Sequence, residues 1–307
     1  MIRMHWASHD GNIGDCYGPM LVAAYTGQKI ARASKKSLRR RLISVGTIGQ
    51  LQKFGTVDVW GAGFAGQGGT EFEIAHGYEK PRFVRFVPHA TRGPFSRQML
   101  INAGCEVPEV YGDPAILVNR LWPPEKVEKR WDLGVVLHLT EVDETFTRYQ
   151  IPPELAESVK VFHTRFPREE GVAAVDERVR ELQSCRRILS TGLHALVLAE
   201  ACNIPCAHFA IHDGPTGRNR VDDTDVLLDH RMRDFYAGCG EKDVLVYRVM
   251  RHLETDWEDA IAFIDREWRP LVYDPTRLIE SFPARHGVFA SEPIVTDMER
   301  IAELVRL

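Results

Sequence analysis

A chain of 307 residues is long for one hydrophobic core and comfortable for two domains. Its 44% hydrophobic and 27% charged residues exclude wholesale disorder. A formal charge of −4, with no apolar run near the ~20 residues of a membrane span and no apolar block at the start, points to a cytoplasmic protein rather than a nucleic-acid binder, a membrane-spanning protein or a secreted one.

In chain order, the densest basic run is Lys35-Lys36 followed by Arg39-Arg40-Arg41. It reads as a solvated helix end before a strand, in preference to a patch for nucleic acid or anionic lipid. Strands are predicted at Arg41 to Val45, Val57 to Trp60, Pro81 to Val87 and Glu109 to Tyr111. Each is short, apolar and ends at or near glycine, as buried parallel strands do. A helix is predicted from Ser96 to Ala103. Proline and charge around Leu121 to Lys126 mark a linker, after which the alternation restarts. Strands are predicted at Leu133 to Leu139, Val159 to His163 and Arg187 to Ser190, and helices over Gly192 to Cys202 and Trp257 to Trp268. Pro270 to Pro283 reads as a loop-rich segment. The six cysteines are scattered without C-x-x-C spacing and are expected to be buried, reduced thiols, not zinc ligands or disulfides.

Two successive sets of strand–helix units predict an α/β protein with two doubly wound, Rossmann-like lobes facing across a cleft, in the manner of GT-B glycosyltransferases. The expected division is residues 1–122 and 123–307. Ligands in such folds sit outside the carboxyl ends of the strands, so the turns there are where chemistry is sought.

Four such turns carry polar or glycine-rich patterns. In His9-Asp10-Gly11-Asn12-Ile13-Gly14-Asp15, Asp15 either caps a helix start or faces the cleft and handles protons. Gly46-Thr47-Ile48-Gly49 and Gly61-Ala62-Gly63-Phe64 let backbone approach a ligand, without matching the dinucleotide fingerprint. In Thr91-Arg92-Gly93-Pro94-Phe95-Ser96, a guanidinium precedes a helix start, which suits an anion as well as it suits an ordinary surface arginine. Asp113 in Gly112-Asp113-Pro114 could orient Arg92 or cap the next helix. Leu189-Ser190-Thr191-Gly192-Leu193-His194 places a histidine in a first helical turn, either as a core imidazole or pointing across the cleft.

Together and in this order, these segments resemble the signature of the polysaccharide pyruvyl transferase family. The resemblance rests on Asn12-Ile13-Gly14-Asp15, Arg92-Gly93-Pro94-Phe95-Ser96, Gly112-Asp113-Pro114-Ala115, Ser190 to His194, Asn203-Ile204-Pro205 and the late segment Met232 to Tyr236. It is nearest to the bacterial exopolysaccharide ketal-pyruvate transferases. Many members carry an arginine where this chain has Gly192, and Arg186, Arg187, Arg218 and Arg220 are candidates to replace it.

The resemblance implies transfer of the enolpyruvyl group of phosphoenolpyruvate onto sugar hydroxyls to form a pyruvate ketal, in exopolysaccharide or cell-surface glycan biosynthesis. Such chemistry needs an acid for C3, a base for the hydroxyl and cations for phosphate and carboxylate. Arg92 would clamp the anion, His194 would contact phosphate or protonate the leaving group, and Asp15 would take the hydroxyl proton. Asn12, Gly14, Gly63, Ser96, Ser190, Thr191 and Leu193 are the expected substrate-binding positions. No cofactor beyond the donor substrate and no metal is expected. The acceptor is a sugar or glycan, lipid-linked or soluble, with peripheral membrane contact and no nucleic acid as partner. The rivals are a glycosyltransferase of the same architecture using a nucleotide sugar and a non-catalytic anion- or glycan-binding relative.

Overall fold

The computed structural model describes residues 1–7, 11–66, 78–138, 141 and 146–307. His9, Asp10 and Leu139 of the predicted segments lie outside them. Two sheets organise the chain. The first is built from β1 (Ile2–Met4), β2 (Ile30–Arg32), β3 (Arg41–Ile43), β4 (Gly55–Trp60) and β5 (Val84–Ala90) in the order β2-β1-β3-β4-β5, all parallel. The second uses β6 (Leu133–Leu137), β7 (Val159–His163), β8 (Ile188–Ser190), β9 (Cys206–Ala210), β10 (Gly217–Arg220) and β11 (Asp243–Arg248). Its order is β10-β11-β9-β8-β6-β7, with β10 antiparallel to β11 and the other pairs parallel. The fold is therefore α/β with two sheets dominated by parallel pairs.

Burial on both faces explains why these strands read as continuous apolar runs: every residue of β6, β8 and β9 is buried. Helix α1 (Ile13–Thr26) is apolar on nearly every side and buried accordingly. Asn12 starts it, accepting from the Gly14 N–H, and Gly27 ends it in the left-handed conformation at φ 63°. The remaining helices that position the site are α2 (Pro94–Asn102), α3 (Val118–Leu121), α4 (Gly171–Gln183), α5 (Leu193–Ala201) and α6 (His230–Gly238).

Two predicted elements are absent. Glu109 to Tyr111 forms no strand, only an isolated bridge between Tyr111 and Thr91, because Pro108 and Pro114 flank it without N–H groups to extend a ladder. The basic run before β3 is a loop, not a helix end. The hydroxyls of Ser34 and Ser37 accept from the Lys36 and Arg39 N–H groups, each at 3.1 Å, and these local turns pre-empt helix.

After α7 (Trp257–Glu267) the chain, through α8 (Thr276–Glu280) and α9 (Met298–Leu304), returns to the first sheet. Trp60 Nε1 donates to the Leu278 carbonyl at 2.8 Å, Tyr273 Oη to that of Tyr111 at 2.6 Å, and Val305 bridges Ile30. Phe289 stacks on Tyr25 with ring centroids 4.5 Å apart. One continuous set of buried side chains, from Met4 through Tyr17, Trp122 and Leu196 to Val246, joins residues of both sheets.

Candidate functional site

Among the parallel strands of each sheet the order reverses at one point. The first strand has its successor on one side and its next-but-one on the other, opening a crevice at the carboxyl ends. In the first sheet that point lies between β1 and β3, and in the second between β6 and β8. The Asn12–Asp15 turn follows β1 and the Gly46–Gly49 turn follows β3. His138 follows β6, and Ser190–His194 follows β8. Sequence motifs and topology thus single out the same two crevices.

The structure brings the two crevices together. His194, in the first turn of α5, lies directly over Gly14, in the first turn of α1: a Cβ at Gly14 would be 1.9 Å from His194 Nδ1. Tyr17, one turn further along α1, meets the same imidazole edge-on with ring centroids 6.5 Å apart. Backbone bonds hold the contact from below, Ile13 N–H to Thr164 O at 3.0 Å and Phe166 N–H to Gly11 O at 2.8 Å. Asp15 is half-buried beside Gly46, whose added Cβ would stand 3.6 Å from its Oδ1.

Burial pushes the His194 imidazole down to about 3, with Arg231, Arg92 and His138 adding to the effect. It is neutral near pH 7, a form able to accept a proton or to hydrogen-bond an anion through its N–H.

Arg92 is fully buried. Its Nε donates to Asp234 Oδ2 at 3.1 Å and its Nη1 to Thr47 Oγ1 at 2.7 Å, while Nη2 is buried with no hydrogen-bond partner among the described residues. The guanidinium lies flat on Gly63: a Cβ there would be 2.4 to 2.5 Å from Cζ and both Nη atoms. Asp234 also accepts from Ser96 N–H at 3.0 Å and Ser96 Oγ at 2.5 Å, and Ser96 Oγ accepts from Phe64 N–H. Arg92, Gly63, Ser96 and Asp234 are therefore one unit, in which α6 of the second half is clamped to the turns of the first. Asp113, the expected orienting group, caps the short turn at Pro114 by accepting from Ala115 N–H. Burial pushes its carboxyl up to about 6 against the opposing pull of Arg92.

The Ser190 and Thr191 hydroxyls shape the second crevice. Ser190 Oγ bonds Val136 O and Gly192 O and accepts from Gly192 N–H, while Thr191 Oγ1 accepts from His138 N–H at 2.7 Å. Leu193 is buried in the core. An adjoining open pocket is lined by His138, Glu141, Thr191, His208, Asp229 and Arg251.

Sequence reasoning missed His138, Arg231 and Asp229, and it left Asp234 without a role. Arg231 Nε pairs with both oxygens of Asp229 at 3.0 and 2.9 Å, and its Nη1 approaches His138 Nε2 at 3.4 Å. A guanidinium can only donate, so Nε2 is the acceptor and the ring is neutral. Burial, followed by Arg231, lowers His138 to about 4. Burial alone would raise Asp229, but Arg231 outweighs it and the carboxyl falls to about 2. His138 also fills the space beside Gly192, where an added Cβ would touch its Cδ2 at 3.4 Å. The four arginines considered for that position are engaged elsewhere: Arg186 with Asp132, Arg187 with Asp265, Arg218 with the Glu267 carbonyl and Arg220 with Asp222. His138 could have been found from its place at the end of an apolar strand. Nothing local marks Arg231. Among the described residues no group of three His, Cys, Asp or Glu side chains is arranged to hold a metal, and no helix is long and apolar enough to cross a membrane.

The profile described as Polysaccharide pyruvyl transferase matches residues 59–213, half of the chain. The chain belongs to the polysaccharide pyruvyl transferase family. The matched span of this pyruvyl transferase family member carries Gly63, Arg92, Ser96, Asp113, His138 and Ser190 to His194; Asn12 to Asp15, Arg231 and Asp234 lie outside it. Membership implies a transferase acting on a sugar or glycan acceptor. No curated protein matches the chain. Among solved structures it is similar to an uncharacterized protein of Klebsiella pneumoniae subsp. pneumoniae NTUH-K2044, at 11% identity and TM-score 0.39, covering 68% of this chain and 82% of that one. A likeness at that level adds nothing about fold or chemistry.

Proposed function

We propose that the protein transfers the enolpyruvyl group of phosphoenolpyruvate onto two hydroxyls of a sugar, forming a pyruvate ketal in exopolysaccharide or cell-surface glycan biosynthesis. The observation that carries this reading, beside family membership, is the contact of His194 with Gly14, one residue from Asp15, where the two strand-order reversals meet.

In the reaction, C3 of the enol gains a proton, one hydroxyl adds to C2, the C2–O bond to phosphate breaks, and a second hydroxyl closes the ring. Two hydroxyl protons are released, one balancing the proton gained at C3 and the other leaving with phosphate. His194, neutral beforehand, meets the phosphate and carries a proton between it and C3. Asp15 takes the hydroxyl proton. We assign the donor's anionic groups to Arg231, which approaches His138 and whose charge also lowers His194, and to the turn at Thr191. Arg92, buried against Gly63 and Asp234, contributes charge from beneath and holds the two halves in register. The open pocket beside Thr191 receives the acceptor.

Phosphoenolpyruvate should raise the thermal midpoint, whereas uridine and guanosine diphosphate sugars should not. Release of phosphate on adding an oligosaccharide acceptor, with ketal formed in equal amount, tests the activity. Stabilisation by a nucleotide sugar alone would favour a glycosyltransferase instead.

A further inference from the structure

The amino ends of β3, β4 and β5 form a surface at the opposite end of the first sheet from the site. The loop before β3 packs against Gly55 so closely that a Cβ there would lie 2.6 Å from the Leu38 carbonyl oxygen and 2.7 Å from that of Ser37. Gly55 N–H donates to the Phe83 carbonyl at 2.9 Å, and Lys53 N–H to that of Lys35 at 3.0 Å. Leu38, Gly55 and Phe83 therefore adjoin one another, with Lys53 fastened to the basic loop.

Buried Arg41 fixes this loop from beneath. Its Nη1 donates to the carbonyls of Ser37 at 2.8 Å and Phe54 at 3.0 Å, its Nη2 to that of Lys35 at 2.9 Å, and its Nε to Gln52 Oε1 at 2.9 Å. Burying a guanidinium is costly, and here it is spent on orienting a surface segment.

What the platform presents is apolar at its centre and cationic around it. Leu38 is 79% exposed and Phe83 65% exposed. Phe83 stacks on Phe54 with centroids 6.1 Å apart, and Arg82 lies over its ring at 5.7 Å. Lys36, Arg39, Lys53, Arg82 and Arg85 are exposed around them. Asp58, the carboxylate within this end of the sheet, is buried and already paired by Arg40, His89 and His286. Glu79 stands four residues before Phe83, beside Lys80.

We propose that this face docks the protein onto an anionic lipid bilayer, with Leu38 and Phe83 entering the headgroup region and the surrounding lysines and arginines meeting lipid phosphates. Exposed apolar tips have no use for bulk water, and a mainly cationic surround selects an acidic interface over a neutral one. A strand as long as β5 spans roughly 20 Å, so the site at the carboxyl ends stays clear of the bilayer plane. The inference is independent of the reaction assigned to the site.

The test is sedimentation of the full chain with vesicles of phosphatidylglycerol and phosphatidylcholine, against phosphatidylcholine alone. Wild type should bind the acidic vesicles only, and less strongly when salt is raised from about 0.1 M to about 0.5 M. Reversing three cations, in K36E/R39E/R82E, should weaken binding by more than about 100-fold. L38S/F83S should keep low-salt binding and lose what resists high salt. F83W should be quenched by brominated lipid. Both multiple variants should melt like wild type, because every changed side chain is exposed. The proposal is overturned if wild type stays in the supernatant with acidic vesicles, or if charge reversal leaves binding unchanged. A homopolymeric RNA displacing the vesicles at lower concentration would also overturn it, reassigning the face to nucleic acid.

Discussion

His194 occupies the space that a side chain at Gly14 would need, with Nδ1, Cγ and Cβ lying 1.9, 2.1 and 2.4 Å from the position of a Cβ there. Gly14 is helical, so its role is not backbone freedom, and an alanine would by propensity favour the helix by about 1 kcal/mol. The clash is with the root of the histidine, which cannot swing away. Overpacking of this kind costs about 1–3 kcal/mol and should win. Gly14→Ala should therefore lower stability slightly and activity by at least about 100-fold, as should His194→Ala, through the loss of a proton-transferring group. The pair distinguishes packing from chemistry: in G14A/H194G the clashing Cβ, Cγ and Nδ1 are all gone, so the double variant should melt no lower than H194G while activity stays lost. A double variant melting below H194G would remove the contact from the account.

The Arg92–Asp234 pair is a second tie between the halves, and it is buried on both sides. Removing one partner of such a pair strands a charge and costs about 3–5 kcal/mol, whereas replacing both with apolar groups costs far less. Asp234→Ala should accordingly destabilise strongly in urea denaturation, and R92L/D234L less than either single change. Gly63→Ala should mimic the single changes, because its Cβ would displace the guanidinium. If R92L/D234L proves as damaging as the two single losses added together, Arg92 has a role beyond the pair.

Much of this was legible in the residues. β7 is found where Val159 to His163 is expected, and α5 begins one residue inside the predicted helix, because runs buried on both faces and glycine-terminated turns are local signals. The four motifs fall at the strand ends for the same reason. The partnership of Arg92 with Asp234 is 142 residues long in sequence, and no spacing rule reaches that far. Arg231 was invisible for a similar cause: an arginine at the start of an amphipathic helix looks like any solvated cation until the fold sets it beside His138. Glu109 to Tyr111 failed in the other direction, since strand-like composition cannot pair when prolines close both ends.

Arg231 gives the sharpest separation of binding from fold. Its loss in Arg231→Met removes charge-assisted hydrogen bonds worth about 1.5–3 kcal/mol each, so phosphoenolpyruvate should bind at least about 10-fold more weakly by titration calorimetry. Arg231→Lys should recover part of this, keeping the charge but not the forked geometry. Because Arg231 lowers both His138 and His194, its removal should also raise the titration midpoints of both imidazoles, observable by NMR without any substrate. Unmoved midpoints would place the guanidinium away from the histidines.

Stability should fall on acidification, and the sign follows from the buried imidazoles. Burial holds His5, His138 and His208 near 4 and His194 near 3, so between these values and the ordinary 6.5 the unfolded chain binds more protons than the folded one. Each contributes stability that is present above about 6.5 and declines as pH falls, by up to about 1.4 kcal/mol per pH unit, and by less for the partly exposed His138 and His194. Asp113 and Glu200 act oppositely. Burial raises them to about 6 and about 7, so their contribution is present at low pH and disappears as pH rises through those values. Four histidines outweigh two acids, and the thermal midpoint should drop from pH 7 to pH 5. Glu200→Gln isolates one opposing group: Glu200 Oε1 accepts from Tyr236 Oη at 2.8 Å, and a glutamine oxygen can do the same without ionising. Relative to wild type, E200Q should gain stability at pH 8 over its difference at pH 5, by about 2 kcal/mol or less. A difference that does not change with pH would mean that Glu200 titrates as an ordinary carboxylate.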